Sequence, residues 1–166
     1  VLDAVKKQIE HFIDWHVSFC SVREMVARRN MPLPAVSATM DGCLESGKDV
    51  MFGGATYNGT GFAGVGIGTA TDSLVAIKYM VFDKKLCTAR ELYDAVMANW
   101  EGYELLRQRI INEAPHFGNA DPYADEQMNW VINTYYDTCK ECYSTRTRVF
   151  KAGLYGAAAV LAGVVA

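Results

Sequence analysis

Nine of the fourteen glycines of this 166-residue chain fall between Gly42 and Gly68, and no charged side chain occurs from Ala55 to Ala70. The densest stretch is Gly53-Gly-Ala-Thr-Tyr-Asn-Gly-Thr-Gly-Phe-Ala-Gly-Val-Gly-Ile-Gly68. A flexible linker with this much glycine would be polar and serine-rich. This one is apolar and aromatic, which implies a loop packed inside something. Buried irregular backbone must satisfy its own N–H and C=O groups, so such a loop needs extensive surroundings.

The rest of the composition describes a core-rich chain. A net charge of −3 with 51% hydrophobic and 21% charged residues excludes disorder, collagen and a strongly basic nucleic-acid binder. Five cysteines at spacings that suggest no disulfide framework point to a reducing, cytoplasmic setting. The chain starts at Val1 without a basic-then-apolar signal segment, and it ends on Ala152 to Ala166 without a charge. That tail is shorter than the roughly 20 apolar residues of a membrane span, and both ends are read as possible cuts.

Apolar residues at Val5, Ile9, Phe12, Ile13, Phe19 and Val26 predict one amphipathic helix from Asp3 to about Arg29, with Asp3 as its N-cap. Two prolines turn the chain at Asn30 to Pro34. Ser37 to Ser46 reads as a short helix or a buried strand, with Gly47 as a left-handed stop. Helical periodicity returns from Asp72 to Phe82. Thr88-Ala-Arg-Glu91 is a capping box opening a helix to about Asn99, a second helix runs from Gly102 to Glu113, and Asp121-Pro122 opens a third, reaching about Arg148. A weak strand is expected near Gly153 to Val160. The count is five or six helices around one glycine-rich loop, with no internal repeat.

Several motifs suggest chemistry, and each has a plainer reading. Gly59-Thr-Gly-Phe-Ala-Gly64 has the glycine spacing of a dinucleotide fingerprint, but no apolar strand leads into it and no helix is expected at its third glycine. Cys139-Lys-Glu-Cys142 has redox or metal spacing, yet it sits in a helical pattern without further ligands and reads as two helix cysteines facing neighbours. His11 and His16 are five apart, the wrong spacing for one helix face. His116 has no sequence-local partner. Asp41, Glu45 and Asp49 border the glycine stretch, and a carboxylate held against a buried apolar segment can exchange protons. At spacing four, a solvated helix face explains all three as well. Tyr57 and Asn58 read as structural hydrogen-bonding groups.

Four blocks, taken together, resemble consecutive blocks of the glycyl radical enzymes. They are Pro34-Ala-Val-Ser-Ala-Thr-Met-Asp-Gly-Cys-Leu-Glu-Ser-Gly-Lys-Asp-Val50, the Gly53 to Gly68 stretch, Asp72-Ser-Leu-Val-Ala-Ile-Lys78, and His116-Phe-Gly-Asn-Ala-Asp-Pro-Tyr-Ala-Asp125. The match runs in order over nearly the whole chain. It resembles the pyruvate formate-lyase-like branch that holds glycerol and diol dehydratases, choline lyase, hydroxyproline dehydratase and 4-hydroxyphenylacetate decarboxylase. Lys151-Ala-Gly-Leu-Tyr-Gly-Ala157 leans toward the decarboxylase.

The resemblance implies an α/β fold, part of a ten-stranded α/β barrel, in which this piece is mostly helical with a buried glycine-rich loop. It implies an anaerobic lyase, dehydratase or decarboxylase in which a glycyl radical makes a cysteine thiyl that abstracts hydrogen from a small-molecule substrate. The radical is installed by a separate activating enzyme that uses S-adenosylmethionine and an iron–sulfur cluster. Residues 1–166 are then one internal piece of a larger catalytic barrel domain, with no complete independent domain. Expected partners are the remainder of the same enzyme, the activating enzyme, the substrate and further copies in a homo-oligomer, with no nucleic acid, membrane, metal or bound cofactor.

The chain lacks the Arg-Val-x-Gly-Tyr type motif of the radical glycine. Gly42-Cys43-Leu44-Glu45 copies the thiyl motif, but its neighbours match a later block, so no catalytic residue is assigned. The resemblance implies that Tyr155 aligns with a position that approaches substrate in relatives, and that Asp41 or Glu45 aligns near one where some relatives place a substrate-binding carboxylate; these three are the candidate substrate-binding residues. The alternatives are a non-enzymatic helical module, one chain of a split assembly, or a nucleotide binder using Gly59 to Gly64.

Overall fold

The computed structural model describes residues 1–142 and 150–154. The expected strand near 153–160 lies mostly outside them, as does Tyr155. The described chain is mostly helical. Helices α1 (Leu2–Asn30), α2 (Pro34–Ser37) and α3 (Cys43–Ser46) lead through a 3₁₀ turn (Val50–Phe52) to strand β1 (Thr60–Gly64). Then follow α4 (Ile67–Ile77), a π turn (Lys78–Asp83), α5 (Ala89–Met97), α6 (Glu104–Glu113), α7 (Pro122–Lys140) and strand β2 (Phe150–Leu154). Strands β1 and β2 pair in parallel, Thr60 opposite Phe150 and Gly64 opposite Leu154. Parallel pairing requires a long crossover, which residues 65–149 supply.

The described residues divide into two compact units, the first made of residues 1–64, 133–142 and 150–154, the second of Val65–Ile132. In the first, α1 packs Ile13 against Tyr135 and Cys139 of α7, flanked by Ile9, Val17 and Cys142. The Cys139/Cys142 pair therefore faces apolar neighbours. Further along the same side of α1, the buried Glu24 carboxylate accepts the hydroxyl of buried Thr60 at the start of β1. The Arg28 guanidinium lies 5.1 Å from the Phe52 ring centre. In the second unit, fully buried Thr71, Val75 and Met80 form the centre, and the Thr71 hydroxyl reaches the Ile67 carbonyl at 2.9 Å.

Three sequence expectations change. The N-cap of α1 is Val1, and Asp3 lies in the first turn, where a carboxylate complements the helix dipole without capping a particular N–H. The second-unit helix starts at Ile67, five residues before Asp72, because Gly66 adopts a left-handed φ of 80° and serves as N-cap. The glycine-rich stretch is not one buried loop. It comprises a hydrogen-bonded knot, strand β1 and the first turn of α4, while Tyr57 is 91% exposed and Val65 59% exposed. The strand carries no sequence signal because Thr-Gly-Phe-Ala-Gly has too few bulky residues to show strand periodicity.

Candidate functional site

The knot spans Asp41 to Asn58 in the first unit. Its backbone closes through Thr56 N–H to Asp41 O (2.7 Å), Lys48 N–H to Cys43 O (3.2 Å) and Gly54 N–H to Asp49 O (3.1 Å). The Ser46 hydroxyl donates to Gly54 O at 3.1 Å, and the Asn58 amide donates to Gly53 O at 3.0 Å and also to Ala55 O. Two glycines are dictated by space. A Cβ on Gly54 would sit 2.0 Å from the Lys48 carbonyl oxygen, and one on Gly42, whose φ is +91°, would sit 2.6 Å from Thr56 Oγ1.

The three carboxylates beside the knot do not share one helix face. Asp41 is exposed in the turn before α3. Glu45, also exposed, lies within α3 and accepts the Gly42 N–H at 3.0 Å. Asp49 caps the 3₁₀ turn, accepting from Met51 N–H, Leu33 N–H and the Ser37 hydroxyl, each at 2.8 Å. Desolvation pushes the Asp49 carboxyl upward, yet the three donors outweigh it and hold the group below its ordinary range. Asp49 is thus an ionised structural hub. Cys43 is buried, at the first position of α3.

In the second unit two of the resembling blocks meet. Asp72 of α4 accepts the Phe117 N–H at 2.8 Å, and its other oxygen lies 3.6 Å from His116 Nδ1. His116 Nε2 lies 3.1 Å from the Ile111 carbonyl. That oxygen only accepts, so the contact is a hydrogen bond when Nε2 carries the ring proton. His116 therefore has a partner, one 44 positions away in sequence that local reading could not supply. The Tyr123 hydroxyl donates to Asp83 at 2.6 Å, while the Lys78 ammonium lies 4.1 Å from the Tyr123 ring centre and 3.5 Å from Glu126. Burial first, and then the Asp83 hydrogen bond, push the Tyr123 phenol well above its ordinary value. The π turn makes this clasp possible, since its i to i+5 bonding, seen in Lys84 N–H to Tyr79 O, brings residues five apart toward one side.

Four of the five thiols are not poised as nucleophiles. Burial first raises Cys20, Cys87, Cys139 and Cys142 above the ordinary thiol value, Cys139 to about 11. Among the described residues no three His, Cys, Asp or Glu side chains are grouped to hold a metal ion. Residues 60–64 of the dinucleotide-like motif are strand β1, and α4 begins only at Ile67, so the motif does not form a turn at a helix N-terminus. No described helix is long and apolar enough to cross a membrane.

Comparison with known proteins now fixes the class. The pyruvate formate lyase-like family model matches residues 1–163, and the chain belongs to this family of glycyl radical enzymes. It is similar to a trans-4-hydroxy-L-proline dehydratase from Clostridioides difficile, at 46% identity over 137 residues, 82% of this chain and 17% of that protein. The crystal structure of hydroxyproline dehydratase from the same organism, with its substrate bound, superposes with a TM-score of 0.87 at 41% identity, covering 93% of this chain and 20% of the other. The 4-hydroxyphenylacetate decarboxylase glycyl radical subunit of Clostridium scatologenes is 31% identical over 134 residues, 66% of this chain and 15% of that protein. By identity over the matched residues, the chain as a whole is nearer this dehydratase than this decarboxylase. It spans about a fifth or less of the length of these relatives.

Proposed function

We propose that this chain is a segment of the catalytic subunit of a glycyl radical enzyme, and that it builds part of the barrel wall around the radical chemistry. The observation that carries the reading is the family match over residues 1–163 together with the dehydratase superposition. The parallel β1 and β2, joined by a long helical crossover, are the repeating unit from which an α/β barrel is made. In this reading the two units belong to one larger catalytic domain of a cytoplasmic enzyme.

The chemistry is dehydration, lyase cleavage or decarboxylation of a small molecule, begun when a thiyl radical abstracts a hydrogen atom. The higher identity to the dehydratase favours a hydroxylated substrate that loses water. A glycyl radical, installed by an activating enzyme that uses S-adenosylmethionine and an iron–sulfur cluster, supplies the unpaired electron. Neither radical residue belongs to this chain, whose share is to position, enclose and exclude water. Asp41, Glu45 and Tyr155 are the residues proposed to approach substrate. Further copies, in a homo-oligomer, complete the assembly.

The test is an anaerobic assay of the activated family-length polypeptide against trans-4-hydroxy-L-proline, glycerol and 1,2-propanediol. Turnover of at least one, with none from residues 1–166 alone, is expected. Turnover by residues 1–166 alone would overturn the proposal, as would a family-length polypeptide inert toward these and toward sulfonated and aryl acetate substrates. In the active enzyme, Asp41→Asn, Glu45→Gln and Tyr155→Phe are expected to lower kcat/KM, and unchanged values for all three would remove them from the site.

A further inference from the structure

Helix α1 carries two apolar stripes, and the core of its unit uses one of them. Successive residues turn by about 100°, so Ile9, Ile13, Val17, Cys20 and Glu24 lie on one side. Of these, Ile13, Cys20 and Glu24 are buried. Phe12, Trp15, Phe19, Val22 and Val26 form a second line about 140° away by the same geometry, and they are 53–62% exposed. Trp15 and Phe19 stack on one another along that line, 6.1 Å apart with rings 10° from parallel. The charged residues Asp3, Lys7, Glu10 and Asp14 occupy a third side.

The open line has the alternating three and four spacing of a coiled-coil seam, which fits a second helix crossing at about 20°. Arg23 and Arg29 flank it at its C-terminal half, and Glu24, the one carboxylate of that half, is turned the other way toward Thr60. A second copy of α1 would bring no carboxylate to those arginines in either orientation, because its own acidic residues lie on the third side. The relatives are nearly five times as long as this chain. We propose that the Phe12, Trp15, Phe19, Val22 and Val26 stripe is the seat of an amphipathic helix from the remainder of the family-length polypeptide, and that this helix presents carboxylates to Arg23 and Arg29. The inference rests on the proposed function, since it takes the rest of that polypeptide as the occupant.

The test places a photo-crosslinking benzoylphenylalanine at Val22 in the polypeptide as expressed from its own reading frame, with products mapped by mass spectrometry. The expected product joins position 22 to a peptide of the same polypeptide outside residues 1–166 that contains Asp or Glu. Phe19→Glu should lower its yield at least tenfold, and the same label at Lys7 should not give it. Crosslinks joining two copies through residues 1–166, or a label that stays solvent-accessible or inserts into anionic phosphatidylserine vesicles, overturn the inference while leaving the proposed function standing. An intact polypeptide of only 18.3 kDa overturns both.

Discussion

The knot at residues 41–58 and the clasp that joins residues 72–83 to residues 116–126 both pin irregular backbone, and they do so by opposite means. In the knot the backbone folds onto itself so closely that side chains are excluded, as the 2.0 Å approach of a would-be Gly54 Cβ to the Lys48 carbonyl demonstrates. In the clasp the backbone stays apart and side chains make the connection, through Asp72, Lys78, Asp83 and Tyr123. A knot held by close approach fails abruptly when one methyl group is added. A clasp of partly exposed polar pairs is distributed, and each of its ties is weak because water and salt screen it.

The sharpest way to break this contrast is to add single methyl groups. Gly54→Ala should cost about 3 kcal/mol or prevent folding, since a backbone carbonyl cannot yield to the new Cβ. Gly47→Ala, where φ is +62° but nothing lies within 4 Å, should cost only about 1 kcal/mol from left-handed strain. Urea midpoints of the two variants measure the difference, and equal values would mean that close approach does not govern the knot. In the clasp, Tyr123→Phe should cost about 1 kcal/mol by losing the hydroxyl bond to Asp83. Lys78→Gln should cost about 0.5 kcal/mol or less, with the loss shrinking further in high salt. A larger, salt-independent loss at Lys78 would show the clasp to be as brittle as the knot.

The smallest expected effect is a pH slope. The Asp49 carboxyl is held below its ordinary range in the folded chain, so it binds protons more weakly there than when unfolded. Its contribution is therefore present above the ordinary carboxylate range and lost as pH falls through the lowered folded value. Asp49→Asn should flatten the acid limb of stability against pH, and an unchanged limb would remove Asp49 as the hub of residues 33–51.

The legibility of these regions in the sequence follows from their physics. The Thr88 cap was readable because its signal is local, and the Thr88 hydroxyl does accept the Glu91 N–H at 3.1 Å. The Asp121-Pro122 start of α7 was readable for the same reason, with Tyr123 N–H bonded to Asp121 at 2.9 Å. The Asp72 tie to His116 and Phe117 was not, because it joins positions more than forty apart and only the resemblance of both blocks to one family hinted at it. The helix of α1 is legible in the sequence, but its two apolar stripes are not separable by periodicity alone. Periodicity establishes that a face is apolar and does not say what covers it. Glu24, a carboxylate on the same side of α1 as Ile13 and Cys20, is itself a signal of a buried polar tie. Asp41 and Glu45 rest on alignment, not on local geometry, since both side chains are exposed at the knot.

The central claim is that residues 1–163 belong to a polypeptide that carries a glycyl radical elsewhere in its length. Electron paramagnetic resonance on the anaerobically activated family-length polypeptide tests it most directly. A glycyl doublet is expected from that polypeptide and none from residues 1–166 activated in the same way. A doublet from the 166 residues alone, or none from the active longer protein, would rule this out.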